Sequence, residues 1–537
     1  MNEVSFGQSA RSKVKEGIDI SARAVGSTLG PAGRNVLIEQ EGKDPFITND
    51  GVRVAMSIQL PDRYQNLGAS LIRQVAEKAD EAAGDGTTTA TVIAHSILTR
   101  GLDLVEKGAN PIYLREGIER AAKDLTDRLK AMARPVTSLE ELTQVANISS
   151  EDEEMGRVVA EVVEKIGKDG VVTIEQSPVF GIHKEFVQGM ETWGGFTSPF
   201  MITDRVKNQA VLEDAHVLVT DKFLHEAQEV MSLIRFTSQN KKKLVIFALS
   251  FDFDVLDILM LNQLAHKIEG VVCVQVSEIN HEIVLADIAA SCGAKVVTKI
   301  QGEKIEEQDF TQVLGVASKI ISDQEKTTIV ASDTPRLQEH IAMLKNQLKE
   351  DTEKQRTKSL ERRIAKLTGG IAVVRIGAAS DAELRYMRHK LEDTINATQA
   401  AAEEGILPGG GVALVRAVGK IPGIPFKPFW RALLGTKEER DEASGYELMM
   451  MAALRPLTQI VMNCGKQKAR KVLQTIQQSD ASFFGYDARH DQYVNMYSKG
   501  IVDPLKVTRS ALEKAVSVAA LVLTTEVAVI DAKKIAL

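Results

Sequence analysis

The two ends of this chain share one texture and its middle has another, and that asymmetry limits what the chain can fold into more than any single residue does. From Gly68 to Arg100 apolar positions recur at helical spacing among Ala, Glu and Lys, broken only at Gly84-Asp85-Gly86, which predicts helix, loop, helix. Pro111 to Met132 reads as a further amphipathic helix, with Pro135 as a boundary beyond it. The middle third instead carries short β-branched runs, Val171–Ile174, Val217–Thr220, Leu244–Phe247 and Val271–Val274, separated by helical stretches. Strands alternating with helices predict an α/β domain. A long charged helical stretch from Gln338 to Leu367 leads toward Gly369-Gly370, and after Gly405 the Ala-rich helical texture resumes. Matching ends around an unlike middle predict a domain inserted into another whose halves come from both termini.

A length of 537 residues allows two to four domains, each with a sizeable core. A hydrophobic fraction of 44%, a charged fraction of 26% and an aromatic fraction of 5% describe a soluble globular protein, and argue against disorder or a membrane protein. A formal charge of −7 argues against nucleic-acid binding, which needs clustered Lys and Arg to neutralise phosphates. The run Lys241-Lys242-Lys243, just before Leu244–Phe247, reads as a solvated loop entering a strand. Cys273, Cys292 and Cys464 lack CxxC spacing, so neither a disulfide framework nor a zinc site is expected, and a reducing compartment fits. The start, Met1-Asn2-Glu3-Val4-Ser5-Phe6, has no apolar signal core or Arg-rich leader, so a cytoplasmic protein is expected.

The sharpest local feature is Asp85-Gly86-Thr87-Thr88-Thr89, where the helix Ala90–His95 begins. Free N–H groups and the positive end of a helix dipole meet there. Gly86 lets the backbone approach an anion, the threonine hydroxyls add donors, and Asp85 offers a hard oxygen to Mg²⁺. The competing reading is a plain helix N-cap, with Asp or Thr capping the first turn and no ligand. Two further glycine turns, Thr28-Leu29-Gly30-Pro31 and Gly409-Gly410-Gly411, are each weaker signals. No GxxxxGK[ST] and no strand-GxGxxG-helix unit occurs, so a nucleotide site would be of another type. Asp85, Asp50 and Asp393 are candidate carboxylates for a metal and for positioning an attacking water. His95, His183, His225 and His281 are scattered without metal-ligand spacing.

In this order these pieces resemble the group I chaperonins, the GroEL family. The strings that carry the resemblance are Thr28–Val36, Ala82–Val92, Glu403-Glu404-Gly405 with Gly409–Leu414, and Asp503–Leu512, and it covers nearly the whole chain. It implies a multidomain α and α/β fold: a mostly helical equatorial ATPase domain (1–134 and 405–537), a small α/β intermediate domain (135–189 and 371–404) and an inserted apical α/β domain (190–370). It implies an ATP-driven machine that captures unfolded polypeptides and promotes their folding inside a homo-oligomeric ring of about seven subunits, with a co-chaperonin lid as a further partner. The implied cofactors are ATP and Mg²⁺, with K⁺ as a second cation.

The resemblance also assigns roles. Thr28, Leu29, Gly30 and Pro31, with Gly86, Thr87, Thr88 and Thr89, would cradle phosphates, and Asp85 would hold Mg²⁺. Gly409 and Gly410 would pack against the nucleotide, Asp503 would hold the ribose, and Asn49, Asp487 and Ala488 complete the nucleotide site. Asp393 would act in hydrolysis, with Asp50 orienting water. Pro135 and Gly405, and above them Gly189 and Gly370, would be hinges. Phe196, Phe200, Met201, Met231, Ile234, Leu256, Leu259, Met260 and Leu261 would capture polypeptide; read without the resemblance, most of them would be core.

Several positions depart from the family pattern. Asn49 replaces a lysine, and Asp487 an asparagine that contacts the base. Gly194 replaces an arginine that pairs with the acid matched by Asp381, which implies altered cooperativity within a ring. Lys466, Gln467 and Thr458 replace charged residues that join two rings, which implies weaker ring pairing. Two other functions compete with the foldase reading: a passive holdase ring, which the presence of Asp50, Asp85 and Asp393 opposes, and a metabolic enzyme, for which no catalytic base or substrate pocket is apparent.

Overall fold

The computed structural model describes residues 2–40, 43–168, 170–187, 189–205, 207–276, 280–299, 302–330, 334–350, 359–360, 363–364, 366–368, 371–419, 435–465 and 468–531. The chain forms two compact units, one from Met1–Glu164, Pro178–Gly181 and Ile376–Leu537, the other from Lys165–Ser177 and Ile182–Arg375. The first is therefore built from both ends and the second from the middle.

The first unit is helical. Its core is the apolar face of long helices, Gly7–Gly26, Arg63–Ala83, Thr87–Glu106, Pro111–Met132, Lys437–Ala453 and Leu505–Leu523. Ile93, Ile97 and Leu98 of one helix, Ile118 and Leu125 of another and Leu512 and Ala515 of the last are fully buried together, within the i, i+3, i+4, i+7 pattern that gathers side chains on one helix face. Two helices approach backbone to backbone: a Cβ on Gly117 would lie 1.9 Å from the carbonyl oxygen of Glu442, and one on Gly445 would lie 2.0 Å from that of Leu114. The same unit holds the helices Leu139–Ser150 and Asp381–Glu404, the latter capped by Ser380, whose hydroxyl accepts from Glu383 N–H at 3.2 Å. Where these helices join the rest, Arg134 and Ile406 exchange backbone hydrogen bonds of 3.1 and 2.8 Å, so the two connections run side by side.

Short strands that helical periodicity could not reveal complete this unit. Val36–Gln40 pairs with Lys43–Thr48 as a hairpin, and Asn2–Phe6 pairs antiparallel with Val527–Asp531. Ile406–Pro408 pairs with Val502–Pro504, which sets Leu407 opposite Asp503.

The second unit is α/β. Its main sheet runs Val271–Gln275, Lys243–Ala248, Ala210–Thr220, Gly315–Ser322, Lys326–Val330, Gly189–Trp193, with Val296–Val297 added beside Ala210–Thr220. The first three strands are parallel, Val296–Val297 is parallel to Ala210–Thr220, and the remaining pairs are antiparallel. Val217, Leu218, Val219 and Leu244–Phe247 are fully buried. These runs are apolar without alternation because both faces of a parallel sheet are covered. A buried ion cluster ties the helices on this sheet: Arg363 donates to Asp287 through Nε (2.9 Å) and Nη2 (2.7 Å), and His340 Nε2 lies 2.6 Å from the same carboxylate. Val171–Gln176, Ile371–Gly377 and Gly181–Val187 make a separate three-stranded sheet with the middle strand from far along the chain. Among the described residues no helix is long and apolar enough to cross a membrane.

Candidate functional site

The helix Thr87–Glu106 begins at Gly86, which has φ 82° and makes no side-chain cap. A left-handed φ suits glycine, and a Cβ there would lie 2.8 Å from Val507 Cγ1. Asp85 turns away from the first turn: its Oδ1 accepts from the N–H of Gly86, at 2.5 Å. The capping alternative therefore does not describe this helix start, whose first N–H groups carry no side-chain acceptor from the N-cap residue.

The other sequence signals converge on that point. Thr28 Oγ1 lies 3.3 Å from Thr88 Oγ1, which joins the first glycine turn to the threonine string. That turn is pinned from behind by Asn463, whose Nδ2 donates to the carbonyls of Gly26 (2.9 Å) and Leu29 (2.8 Å). Gly30 (φ 85°) packs on Ile460, Leu29 joins the same small apolar cluster, and Pro31 is exposed. Asp50 caps the helix Gly51–Ser57, its Oδ1 accepting from Val52 N–H at 3.0 Å. A Cβ on Gly51 would sit 2.3 Å from Thr88 Oγ1 and 2.8 Å from Thr87 Oγ1, so Asp50-Gly51 lies directly against the threonines. Asn49 and Thr89 are half-buried beside them. On the opposite flank a Cβ on Gly409 would meet Asp503 Oδ1 at 3.0 Å, and the N–H groups of Gly411 and Gly410 hydrogen-bond the Asp503 carboxyl. The loop before Thr87 touches the Asp381–Glu404 helix, since a Cβ on Gly84 would meet Asn396 Nδ2 at 2.2 Å.

Carboxylates crowd this place. Burial first, and then the charges of Asp85 and Asp50, push the Asp393 carboxyl well above the usual range, with Lys390 opposing. Asp85 is raised by burial, against the Gly86 N–H and Lys390. Burial and the charge of Asp85 push Asp503 up to about 7. Asp80, which no motif had marked, is raised by burial and by Asp50, with Arg53 opposing. Its signal was available, since it precedes Gly84 by one helical turn.

This donor set fits a metal-bound polyphosphate. Glycines line it where a Cβ would collide, N–H groups and hydroxyls face it, and burial raises the carboxyls of Asp85, Asp393 and Asp503 above their ordinary range. Mg²⁺ commonly takes only one or two carboxylates and completes its shell with phosphate and water oxygens, which suits Asp85.

Asp487 ends the strand Phe484–Asp487 and Ala488 follows it. Asp487 is turned into its own loop, accepting from the N–H groups of Arg489 (3.0 Å) and His490 (3.1 Å) and pairing with His490 Nδ1 at 2.7 Å, while Ala488 packs with Val412 and Leu457. An aspartate can only accept, so it takes the local donors that an asparagine would share.

In the second unit the polypeptide-capture candidates separate into two groups. Phe196, Met201, Ile234 and Leu259 are buried in the main core at 8%, 1%, 5% and 0% exposure: the faces of the helices Gln228–Gln239 and Phe253–Leu264 that bear Ile234 and Leu259 pack inward. Phe200, Met231 and Leu261 are exposed, and Leu256 and Met260 are half-buried at the rim of the core. Phe253 and Leu264, at 84% and 73% exposure, extend this apolar surface. They escaped notice because an apolar residue in a short amphipathic helix reads by default as core. Lys466, Gln467 and Gly370 lie outside the described residues. Thr458 donates its hydroxyl to Leu454 O of its own helix, at 2.8 Å.

The TCP-1/cpn60 chaperonin family model matches residues 22–534. The chain is a member of that family. Among solved structures it resembles the chaperonin gp146 from the bacteriophage EL 2 (Pseudomonas aeruginosa), crystallised in the presence of ATP-BeFx. For crystal form II the TM-score is 0.71 at 21% identity, with 99% of each chain covered. For crystal form I it is 0.65 at 23% identity, again with 99% of each chain covered. The mixed α and α/β architecture is thus the chaperonin fold over nearly the whole chain.

Proposed function

We propose that this chaperonin is an ATP-hydrolysing, ring-forming subunit that captures non-native polypeptides and promotes their folding by enclosure. The observation that carries the reading is the uncapped helix start at Gly86-Thr87-Thr88, with Thr28 and Gly51 packed against it and the Asp393 carboxyl raised by burial first and then by Asp85 and Asp50. The N–H groups of the first helical turn and the hydroxyls of Thr87, Thr88 and Thr89 bind the phosphates, and the Thr28–Pro31 turn closes over them. Asp503, Gly409 and Gly410 hold the ribose side. Asp85 would hold Mg²⁺, which when bound supplies positive charge to the phosphate oxygens. Asp50 and Asp393 orient the attacking water. Asp487 and Ala488 flank the base, and Asn49 supports Asp50.

The division into equatorial (1–134, 405–537), intermediate (135–189, 371–404) and apical (190–370) parts belongs to this proposal. The paired connections at Arg134 and Ile406 support a lower hinge beside Pro135 and Gly405. Capture falls to Phe200, Met231, Leu256, Met260 and Leu261, joined by Phe253 and Leu264, a Met- and Leu-rich surface that repacks around unlike clients.

Assembly is supported by two small sheets. Leu37 and Ile47, opposite each other on the hairpin, are 70% and 60% exposed. On the strand Val527–Asp531, Ala528 and Ile530 face Tyr64 while Val527 and Val529 are 37% and 56% exposed. A two-stranded sheet is marginal alone and its open edges invite strand addition. Docking the hairpin of one copy on the end strands of the next is a heterologous contact, which closes into a ring if the rotation permits.

The test measures ATP hydrolysis by the purified full chain with and without Mg²⁺, alongside recovery of a chemically denatured test enzyme. Mg²⁺-dependent hydrolysis that raises the recovered activity is expected. A chain that suppresses aggregation but hydrolyses no ATP would move the reading to a passive holdase.

A further inference from the structure

The two carboxylates assigned to orient water stand on different elements, Asp50 at the start of Gly51–Ser57 and Asp393 inside Asp381–Glu404. A side chain with no part in the motifs joins those elements. Arg53, one turn into the short helix, places Nε 3.3 Å from Asp50 Oδ2 and Nη2 2.9 Å from His389 Nδ1. Asp50 Oδ1 accepts from Val52 N–H and Arg53 pairs with the second oxygen, so each carboxylate oxygen has a protein partner. His389 precedes Asp393 by four residues, so the two share one helix face and move together.

The chemistry of the contact is directional. Arginine is always protonated and cannot accept, so at 2.9 Å it donates, the lone pair lies on His389 Nδ1 and the ring proton on Nε2. Glu392 Oε2, 3.2 Å from the same Nδ1, competes for that nitrogen but cannot use it while it is an acceptor; Glu392 Oε1 instead takes Arg388 Nε at 3.0 Å. Arg53 also faces Asp80, whose carboxyl it opposes in its upward shift. A planar guanidinium with several donors in a fixed fork spans these partners at once, which a lysine cannot do.

We propose that Arg53 is a positioning residue for ATP hydrolysis: by holding Asp50 with one edge of its guanidinium and His389 with the other, it fixes the spacing between Asp50 and Asp393. The proposal rests on the ATPase reading above and adds a residue to it. Arg53 is not among the groups assigned above to the nucleotide or to the water, so its loss is expected to act on the geometry of hydrolysis and not on affinity.

Arg53→Ala, Arg53→Lys, His389→Ala and the double alanine variant are compared with the unsubstituted full chain. Steady-state hydrolysis gives kcat and KM, calorimetry gives the affinity of a non-hydrolysed ATP analogue, and hydrogen exchange of the ligand-free protein follows 51–57 and 386–393. Misplacement of reacting groups lowers kcat steeply, so Arg53→Ala is expected to lose about tenfold or more in kcat with analogue affinity within about threefold. Arg53→Lys, which keeps the ion pair but not the span, falls between. His389→Ala lowers kcat in the same direction, and the double variant is no worse than Arg53→Ala, because both act through one contact. Exchange rises in both segments in each alanine variant. A kcat within twofold of the unsubstituted chain for Arg53→Ala overturns the proposal, as do multiplicative effects in the double variant or unchanged exchange. If the unsubstituted chain hydrolyses no ATP, the ATPase reading falls, and the exchange data alone then report whether the tie exists.

Discussion

Replacing Gly51 by alanine separates the nucleotide site from the stability of the fold. Gly51 opens a helix and is not among the residues with positive φ, so its backbone suits alanine, and helix propensity favours the change by up to about 1 kcal/mol. Against that, the new methyl lands 2.3 Å from Thr88 Oγ1, 2.8 Å from Thr87 Oγ1 and 3.1 Å from Thr88 N. Ordinary contact distances require the two segments to separate by roughly 1 Å. Rotating Thr88 gives little relief, since its γ-methyl would take the place of its oxygen and β-branched side chains are stiff at χ1. The displacement therefore falls on the hydroxyls and N–H groups assigned to the phosphates. Loss of one hydrogen bond to a charged group is worth about 1.5–3 kcal/mol, which is a weakening of roughly 10- to 150-fold in ATP affinity. Calorimetric titration with a non-hydrolysed ATP analogue and a thermal melt of the ligand-free protein read the two effects separately. The melt should stay within a few degrees of the unsubstituted chain while affinity falls. Adding Thr88→Ala clears space for the methyl, so the double variant should bind no worse than Thr88→Ala alone. Gly51→Ala binding the analogue within twofold of the unsubstituted protein would refute the placement of Thr87 and Thr88 at the phosphates.

Three other outcomes are expected. Asp393→Ala should keep ATP affinity and lose most turnover, whereas Asp85→Ala should weaken Mg²⁺-ATP binding itself, and identical binding isotherms for the two would erase that division. Met231→Glu with Leu261→Glu should abolish capture of an unfolded test protein with hydrolysis unchanged, while Ile234→Glu, in the core at 5% exposure, should instead lower the melting temperature; capture surviving the first pair would move the client surface elsewhere. Burial alone would raise Asp287, but hydrogen bonds from His340 and Arg363 outweigh it and hold its carboxyl below the usual range. Its contribution is therefore full above the unfolded carboxylate pKa and is lost as pH falls through the lower folded value, so Asp287→Asn should flatten the acid limb of a melting profile, and an unchanged limb would assign the acid sensitivity to other groups.

The insertion of one folded unit into another was legible because helical and strand periodicities leave different marks, and the helices predicted over Gly68–Arg100 and Pro111–Met132 are present as Arg63–Ala83, Thr87–Glu106 and Pro111–Met132. Strands such as Ile406–Pro408 and Val502–Pro504 left no mark, because three residues give no period and their partners lie far along the chain. At the site, residues embedded in glycine turns announced themselves, since glycine permits both a positive φ and a close backbone approach. Arg53 and Asp80 did not: an arginine or an aspartate on an amphipathic helix looks like a solvated face until the opposing element is known. The same ambiguity covers Ile234 and Leu259, which are buried here, because spacing along a helix defines a face without saying whether that face looks in or out.

The two-ended construction of the helical unit has a consequence during synthesis. The apolar faces of Thr87–Glu106 and Pro111–Met132 are covered in part by Leu505–Leu523, so about 390 residues separate the emergence of Met132 from that of Leu523. At the usual ribosomal pace of about 5–20 residues per second, those faces wait on the order of 20 to 80 s for their closing helix. The inserted unit, which ends at Arg375, has its sequence complete well before then. Each newly made subunit is thus, for much of its own translation, a half-covered apolar surface of the sort its finished form is proposed to capture.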